Sequence, residues 1–212
     1  MRQPDNETVG RIFDTMSSRY DTQIDWWERR VMGGRPRQWA IPRAEGRVLE
    51  IAVGTGLNLP LYGPEVTSIL GIDLSGRMLD IARTRIAEQQ LTRATVRRGD
   101  AQALDLADNS IDTVVSTLSF CTIPDPLAAS REAFRVLVPG GRFVLAEHGP
   151  PATSRIGAAL MRMVEPITVR FGADHLTREP VPISRRRVSS STRCTGPAPR
   201  GIGFRVIARK PA

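Results

Sequence analysis

The chain of 212 residues contains a single lysine, Lys210, against 29 arginines. A phosphate-binding loop of the Gly-Lys-Ser/Thr type is thereby excluded, because no lysine stands before position 210. Cysteine is scarce: Cys121 and Cys194 lie far apart, at neither metal-site nor redox-motif spacing, and no metal is expected. Only two histidines, His148 and His175, are available as proton acceptors near neutral pH. Long apolar runs are also missing. The longest, Ile156 to Val169, is interrupted by Arg162, Glu165 and Pro166, which rules out a spanning helix. The polar opening MRQPDNETVG lacks the apolar region of a secretory signal, so a cytoplasmic location is expected.

Acidic residues are absent from one region. Residues 1–180 hold 22 Arg and 22 Asp or Glu, whereas the last 32 residues hold seven Arg, Lys210 and no acid. The net charge of +8 therefore resides wholly in the tail. A nucleic-acid-binding body would spread basic side chains over the fold, so no nucleic-acid partner is expected.

What is present is a regular alternation of strand-like and helix-like apolar periods. Residues 4–40 read as helical, with a break at Gly33-Gly34 and Pro36. Strands are expected at 48–53, 68–73, 94–98, 111–116 and 142–146. Ser75 is placed to cap a helix reaching about Gln89, and Pro126 to start one reaching Leu137; Pro139-Gly140-Gly141 reads as a turn. Alternating β and α units of this length predict an α/β fold, a doubly wound parallel sheet with its ligand at the carboxyl ends of the strands.

Three loops fall at that edge. The first lies within VLEIAVGTGL, with Glu50, Gly54 and Gly56; its glycines permit a left-handed backbone and close approach to a ligand. The second ends in Asp73, 17 residues past Gly56, where a carboxylate can accept the hydroxyls of a ribose. The third is Gly99-Asp100-Ala101, where an acid can bind an adenine amine. A dinucleotide fingerprint would need a third glycine at position 59, which is leucine. Glu50 would repel a pyrophosphate but attract an ammonium and a sulfonium. S-adenosylmethionine carries both cations, a ribose diol and an adenine, without phosphate.

With VLEIAVGTG, GIDLS, GDAQAL, SIDTVVSTLSF and RVLVPGGRFVLAE in this order over residues 45–148, the chain resembles the class I S-adenosylmethionine-dependent methyltransferases. Ile12-Phe13-Asp14 and Ser17 to Asp21 further resemble the ubiquinone/menaquinone-biosynthesis branch and related phospholipid and small-molecule methyltransferases. The resemblance implies a Rossmann-like, mostly parallel seven-stranded sheet under an N-terminal helical lid. It places the lid at 1–44, the core at 45–180, an anomalous basic segment at 181–200 and a final strand and tail at 201–212. It implies that Glu50, Gly54 and Gly56 line the methionine moiety, with Ala52 beside them and Asp73 at the ribose. Leu74, Asp100 and Ala101 would bracket the adenine, Ser116 and Thr117 would form the floor near the methyl group, and Tyr20 would belong to the lid. Ala52 departs from the commoner E-x-G-x-G-x-G form by one methyl, and Ala52→Gly is expected to change cofactor affinity little.

The acceptor implied is a small molecule or lipid-like compound, a quinone precursor methylated on carbon or oxygen; a phospholipid or other amine is the alternative, and a noncatalytic adenosyl-ligand-binding protein a further one. His148, after the fifth strand, is the favoured base, with His175 second. Trp27 shares helical spacing with Ile24 and Val31 and is expected in the core; Cys121 is expected as a buried structural thiol.

One segment does not fit. Residues 181–200 hold five Arg, four Ser and no acid, with almost no apolar period, and do not supply the expected sixth strand or its preceding helix. A basic loop, an arm for anionic lipid headgroups giving peripheral membrane contact, and two compensating reading-frame shifts in a GC-rich gene are the readings of this stretch. The last leaves the final strand pair disrupted.

Overall fold

The computed structural model describes residues 4–30, 35–149, 155–178, 193–195 and 203–211. One mostly parallel sheet is flanked by helices. Its strands are β1 Gly46–Ile51, β2 Val66–Asp73, β3 Ala94–Arg98, β4 Ile111–Thr117, β5 Leu137–His148, β6 Arg193–Thr195 and β7 Gly203–Arg209. They lie in the order β3-β2-β1-β4-β5-β7-β6. The pairs from β3 through β5 are parallel; β7 runs antiparallel to β5, and β6 to β7. The chain leaves β1 toward β2 and β3, then crosses back to β4. The β1/β4 junction is therefore the switch point, where strand ends splay and a crevice opens.

The helices are α1 Asn6–Arg30, α2 Pro36–Ala40, α3 Gly76–Glu88, α4 Pro126–Val136 and α5 Arg155–Gly172. Ser75 caps α3 as its type predicts, its Oγ accepting from the Met78 N–H at 3.1 Å. Asp125 caps α4 in the same way, accepting from Leu127 and Ala128.

Successive side chains of the central strands serve opposite faces. Leu49, Ile51, Val114 and Leu145 join Ala133 and Phe134 of α4 in one apolar layer. Val48 and Val115 join Ile41, Ile69 and Leu79 of α3 in the other. Both faces are covered, which is why these strands read as continuous apolar runs.

Several boundaries differ from expectation. The first strand stops at Ile51, and Ala52 turns with φ of 52°. Pro139-Gly140-Gly141 does not separate α4 from a strand; β5 begins at Leu137 and absorbs the glycines through a register shift against β4, with Gly140 at φ 79°. The basic stretch contributes the three residues of β6, contrary to the expectation that it supplies no strand. The rest of 181–200, and with it the readings as loop, lipid arm or shifted frame, lies outside the described residues, as do Val31 and Gly33-Gly34.

Candidate active site

Two neighbouring cavities open at the carboxyl edge. The first encloses about 680 Å³, counting its mouth, at the β1/β4 switch point. Of the residues singled out from the sequence, Tyr20, Ala52, Gly54, Asp73, Leu74, Asp100, Ala101 and Thr117 line it. Glu50, Gly56, Ser116 and His148 do not.

Asp73 organises the cavity. Its Oδ2 accepts from the Gly54 N–H at 2.9 Å and its Oδ1 from the Ser75 N–H at 2.8 Å. Burial raises its pKa, while these backbone donors and that of Leu74 pull it back. Each carboxylate oxygen keeps a lone pair for a ribose hydroxyl. Among the described residues that line this cavity there is no side-chain cation.

The two glycines of the first loop have different reasons. Both have positive φ, 56° at Gly54 and 77° at Gly56. A Cβ on Gly54 would meet no atom within 4 Å. A Cβ on Gly56 would lie 2.8 Å from Leu59 Cδ1 and 3.2 Å from Ala82 Cβ. Gly54 faces the cavity, whereas Gly56 lets the loop pack on α3. Ala52, which also lines the cavity, sits in the left-handed region, where the commoner glycine would relieve backbone strain.

Glu50 is 2% exposed behind the cavity wall. Its oxygens accept from Asn58 Nδ2 at 2.7 Å and the Tyr62 hydroxyl at 2.8 Å. Burial raises its pKa to about 7 against the lowering effect of those two donors. Ser116 is turned away from the cavity: its hydroxyl meets Ser119 Oγ at 2.5 Å and donates to Glu147 Oε1 at 3.1 Å. Glu147 also accepts from the backbone N–H groups of Ser119 and Phe120. This buried knot shapes the β4 loop so that Leu118, at φ 55°, stands between the two cavities.

Helix α1 crosses the site and is tied to all three loops. Asn6 Nδ2 donates to Asp100 Oδ2 at 2.7 Å; Asp14 accepts from Ser75 Oγ at 2.6 Å and the Arg77 N–H at 3.0 Å; Asp21 accepts from Thr55 Oγ1 at 2.5 Å and Arg85 at 2.6 Å. Burial carries the Tyr20 hydroxyl up to about 12.

The second cavity is wider, about 1030 Å³ counted the same way, and mostly apolar. Met16, Ile24, Trp27, Ile167 and Phe171 line it, and Phe13, Tyr20, Leu118 and Thr122 are shared with the first. Trp27, expected in the core, is a wall of this cavity with its ring edge-on to His148, the centroids 5.3 Å apart. Phe13, Tyr20 and Trp27 fall seven residues apart, a spacing that places three rings on one helix face and signals this wall in the sequence.

His148 belongs to this second cavity. It is 3% exposed, and its Nε2 lies 3.0 Å from Asp174 Oδ1. Burial lowers the His148 pKa, but the Asp174 contact and charge, with Glu147 beyond, outweigh it and raise it overall. Asp174, after α5, carries no local sequence signal, since it stands 26 positions beyond its partner. Cys121, buried and with its thiol pKa pushed well up by burial, shares this corner; donor atoms of Cys121, His148 and Asp174 lie within 4.8 Å of one another. His175 lines neither cavity and sits 3.5 Å from Glu165. Cys194 carries no described side chain.

A family model for a methyltransferase domain matches residues 49–145. The chain is 33% identical over 183 residues to the demethylmenaquinone methyltransferase of Deinococcus radiodurans, covering 81% of this chain and 73% of that protein. The chain belongs to the S-adenosylmethionine-dependent methyltransferases. This methyltransferase is also 42% identical over 104 residues to a phosphatidylethanolamine N-methyltransferase of Cereibacter sphaeroides, covering 49% of this chain; it spans about half, 51%, of that relative. Among solved structures, a possible histamine N-methyltransferase of Thermotoga maritima superposes with a TM-score of 0.70 at 23% identity, covering 94% of this chain and 99% of that one. The fold is the methyltransferase fold. Its cofactor is S-adenosylmethionine.

Proposed function

We propose that this methyltransferase methylates a lipid-like acceptor resembling a quinone precursor, on carbon or oxygen, with His148 as the proton acceptor. One observation carries the reading: an apolar cavity with a buried histidine–carboxylate pair in its wall adjoins the cavity suited to the cofactor, and the two share four residues. Bound S-adenosylmethionine supplies a methyl group on a sulfonium, an already activated electrophile.

The chain's own work is then positioning and proton removal. Asp73 holds the ribose, and Leu74, Asp100 and Ala101 bracket the adenine. Gly54 and Ala52 give the methionine end room, and Thr117 floors it. Glu50, one layer behind, supplies negative charge toward the cationic end. Helix α1 acts as the lid, with Tyr20 spanning both cavities. His148 takes the acceptor's proton, and Asp174 positions its ring and stabilises the imidazolium formed. Leu118 and Phe13 keep water from the transfer path.

A phospholipid N-methyltransferase is the second reading, favoured by the 42% identity to the Cereibacter sphaeroides enzyme. An amine nucleophile need only be uncharged, so His148 would then be dispensable. Methyl release from labelled cofactor, measured against polyprenyl phenols, phosphatidylethanolamine and small amines, separates the two. Turnover confined to phosphatidylethanolamine and unaffected by His148→Ala would overturn the first.

A further inference from the structure

The broken apolar run that fails as a membrane span has a different arrangement in three dimensions. In α5, Ile156, Leu160, Met163, Val164, Ile167 and Phe171 are exposed, from 45% at Val164 to 77% at Ile156. At 100° per residue they fall in one arc about 100° wide and about 22 Å long. Large exposed side chains in one continuous stripe are unusual on a water-facing helix.

The charges of the helix are sorted around the stripe. Its exposed arginines, Arg162 and Arg170, lie to one side of it. The single acid, Glu165, is turned inward, where its carboxylate meets the Thr177 hydroxyl and, at 3.5 Å, His175 Nδ1. Among the described residues of α5, the outer surface is therefore apolar and cationic, with no acid on it. The stripe is also continuous with the second cavity, since Ile167 and Phe171 belong to both. A second protein copy seated here would cover the cavity mouth and face arginine with arginine. A leaflet of anionic lipid meets all three features: acyl chains for the stripe, headgroups for the arginines, and an apolar reservoir against the mouth.

We propose that α5 lies in the interface of an anionic bilayer, with its apolar stripe inserted, and that the second cavity loads its acceptor from that layer. The docking part does not depend on the identity of the acceptor or on His148 as base.

The test is co-sedimentation of the full chain with phosphatidylglycerol-containing phosphatidylcholine vesicles and with phosphatidylcholine alone. The variant is Ile156→Gln/Leu160→Gln/Met163→Gln, whose positions line neither cavity. Binding to the anionic vesicles should fall about hundredfold in the variant, while S-adenosylhomocysteine affinity stays unchanged. Arg162→Gln/Arg170→Gln should weaken binding and flatten its salt dependence. Undiminished vesicle binding by the triple variant would assign attachment to the basic tail and overturn the proposal. So would a stable dimer in solution that the triple variant converts to monomer without any vesicle binding by either form. Vesicle binding by the unaltered chain, lost in the triple variant but without turnover of any polyprenyl phenol, would instead count against the acceptor reading alone.

Discussion

Alanine at Gly54 and alanine at Gly56 should do different damage, although the residues are two apart in one loop. Each substitution forces a side chain into the left-handed region, which costs about 1–2 kcal/mol. Stiffening of the unfolded chain offsets about 0.4–1 kcal/mol of that. At Gly54 nothing further is added, because the new methyl meets no atom within 4 Å. Its net destabilisation should be about 1 kcal/mol, a fall in Tm of about 3 °C. At Gly56 the methyl would press on Leu59 at 2.8 Å and Ala82 at 3.2 Å. Both neighbours are buried, so overpacking adds about 1–3 kcal/mol and Tm should fall by about 6–12 °C. Ligand affinity should show the reverse order. Gly54→Ala places its methyl in the cofactor cavity and should weaken S-adenosylhomocysteine binding about tenfold, roughly 1.4 kcal/mol; Gly56→Ala should leave it nearly unchanged in whatever fraction folds. Thermal unfolding and calorimetric titration of both proteins give the two orders. Equal losses of stability, or weaker ligand binding by the Gly56 variant, would refute the division of roles.

The paired charges give further expectations. With an acidic acceptor, the rate should rise with pH through a midpoint above the ordinary histidine value of about 6.5, because His148 must lose a proton to act and its pKa is raised. Asp174→Asn removes a group that raises it, so the midpoint should move down; an unmoved midpoint would exclude Asp174 as the positioning partner. The same sign governs stability: the His148–Asp174 contribution is present below about pH 6.5 and lost as pH rises through the raised folded value. Glu50, with a pKa of about 7, is largely protonated at pH 6, so binding of the cationic cofactor there should release a proton; titrations in buffers of differing ionisation heat would detect it, and Glu50→Gln should abolish it. Asp73→Ala should reduce S-adenosylmethionine affinity at least tenfold, through the lost ribose acceptor and the freed Gly54 and Ser75 N–H groups. Unchanged affinity would remove Asp73 from the cofactor site.

The parallel core was legible because strands buried on both faces leave uninterrupted apolar runs, and because Ser75 as a cap and Pro126 in a first turn mark where helices start. The Pro139-Gly140-Gly141 stretch was misleading: turn-forming residues there are carried inside β5 by an irregular register, a pairing property that single-chain periodicity does not encode. The lining of the first cavity was legible for a similar reason. Asp73 ends a strand, and Gly54 and Asp100 follow one within three residues, so local position and chemistry coincide. Glu50 and Ser116 were displaced from the cavity by partners distant in sequence, Tyr62 for one and Glu147 for the other. The second cavity was hidden. It is assembled from α1, the β4 loop, the end of β5 and α5, and helical spacing alone could not tell Trp27 in a core from Trp27 in a cavity wall.

Helix α1 is a wall of both cavities and is pinned through Asn6, Asp14 and Asp21. Under the proposed lid role, a single movement of α1 would serve two exchanges: the displacement that releases spent cofactor would also uncover the acceptor. Successive methyl groups on one acceptor would each require that joint opening. The architecture therefore favours distributive turnover, with partly methylated intermediates escaping between rounds.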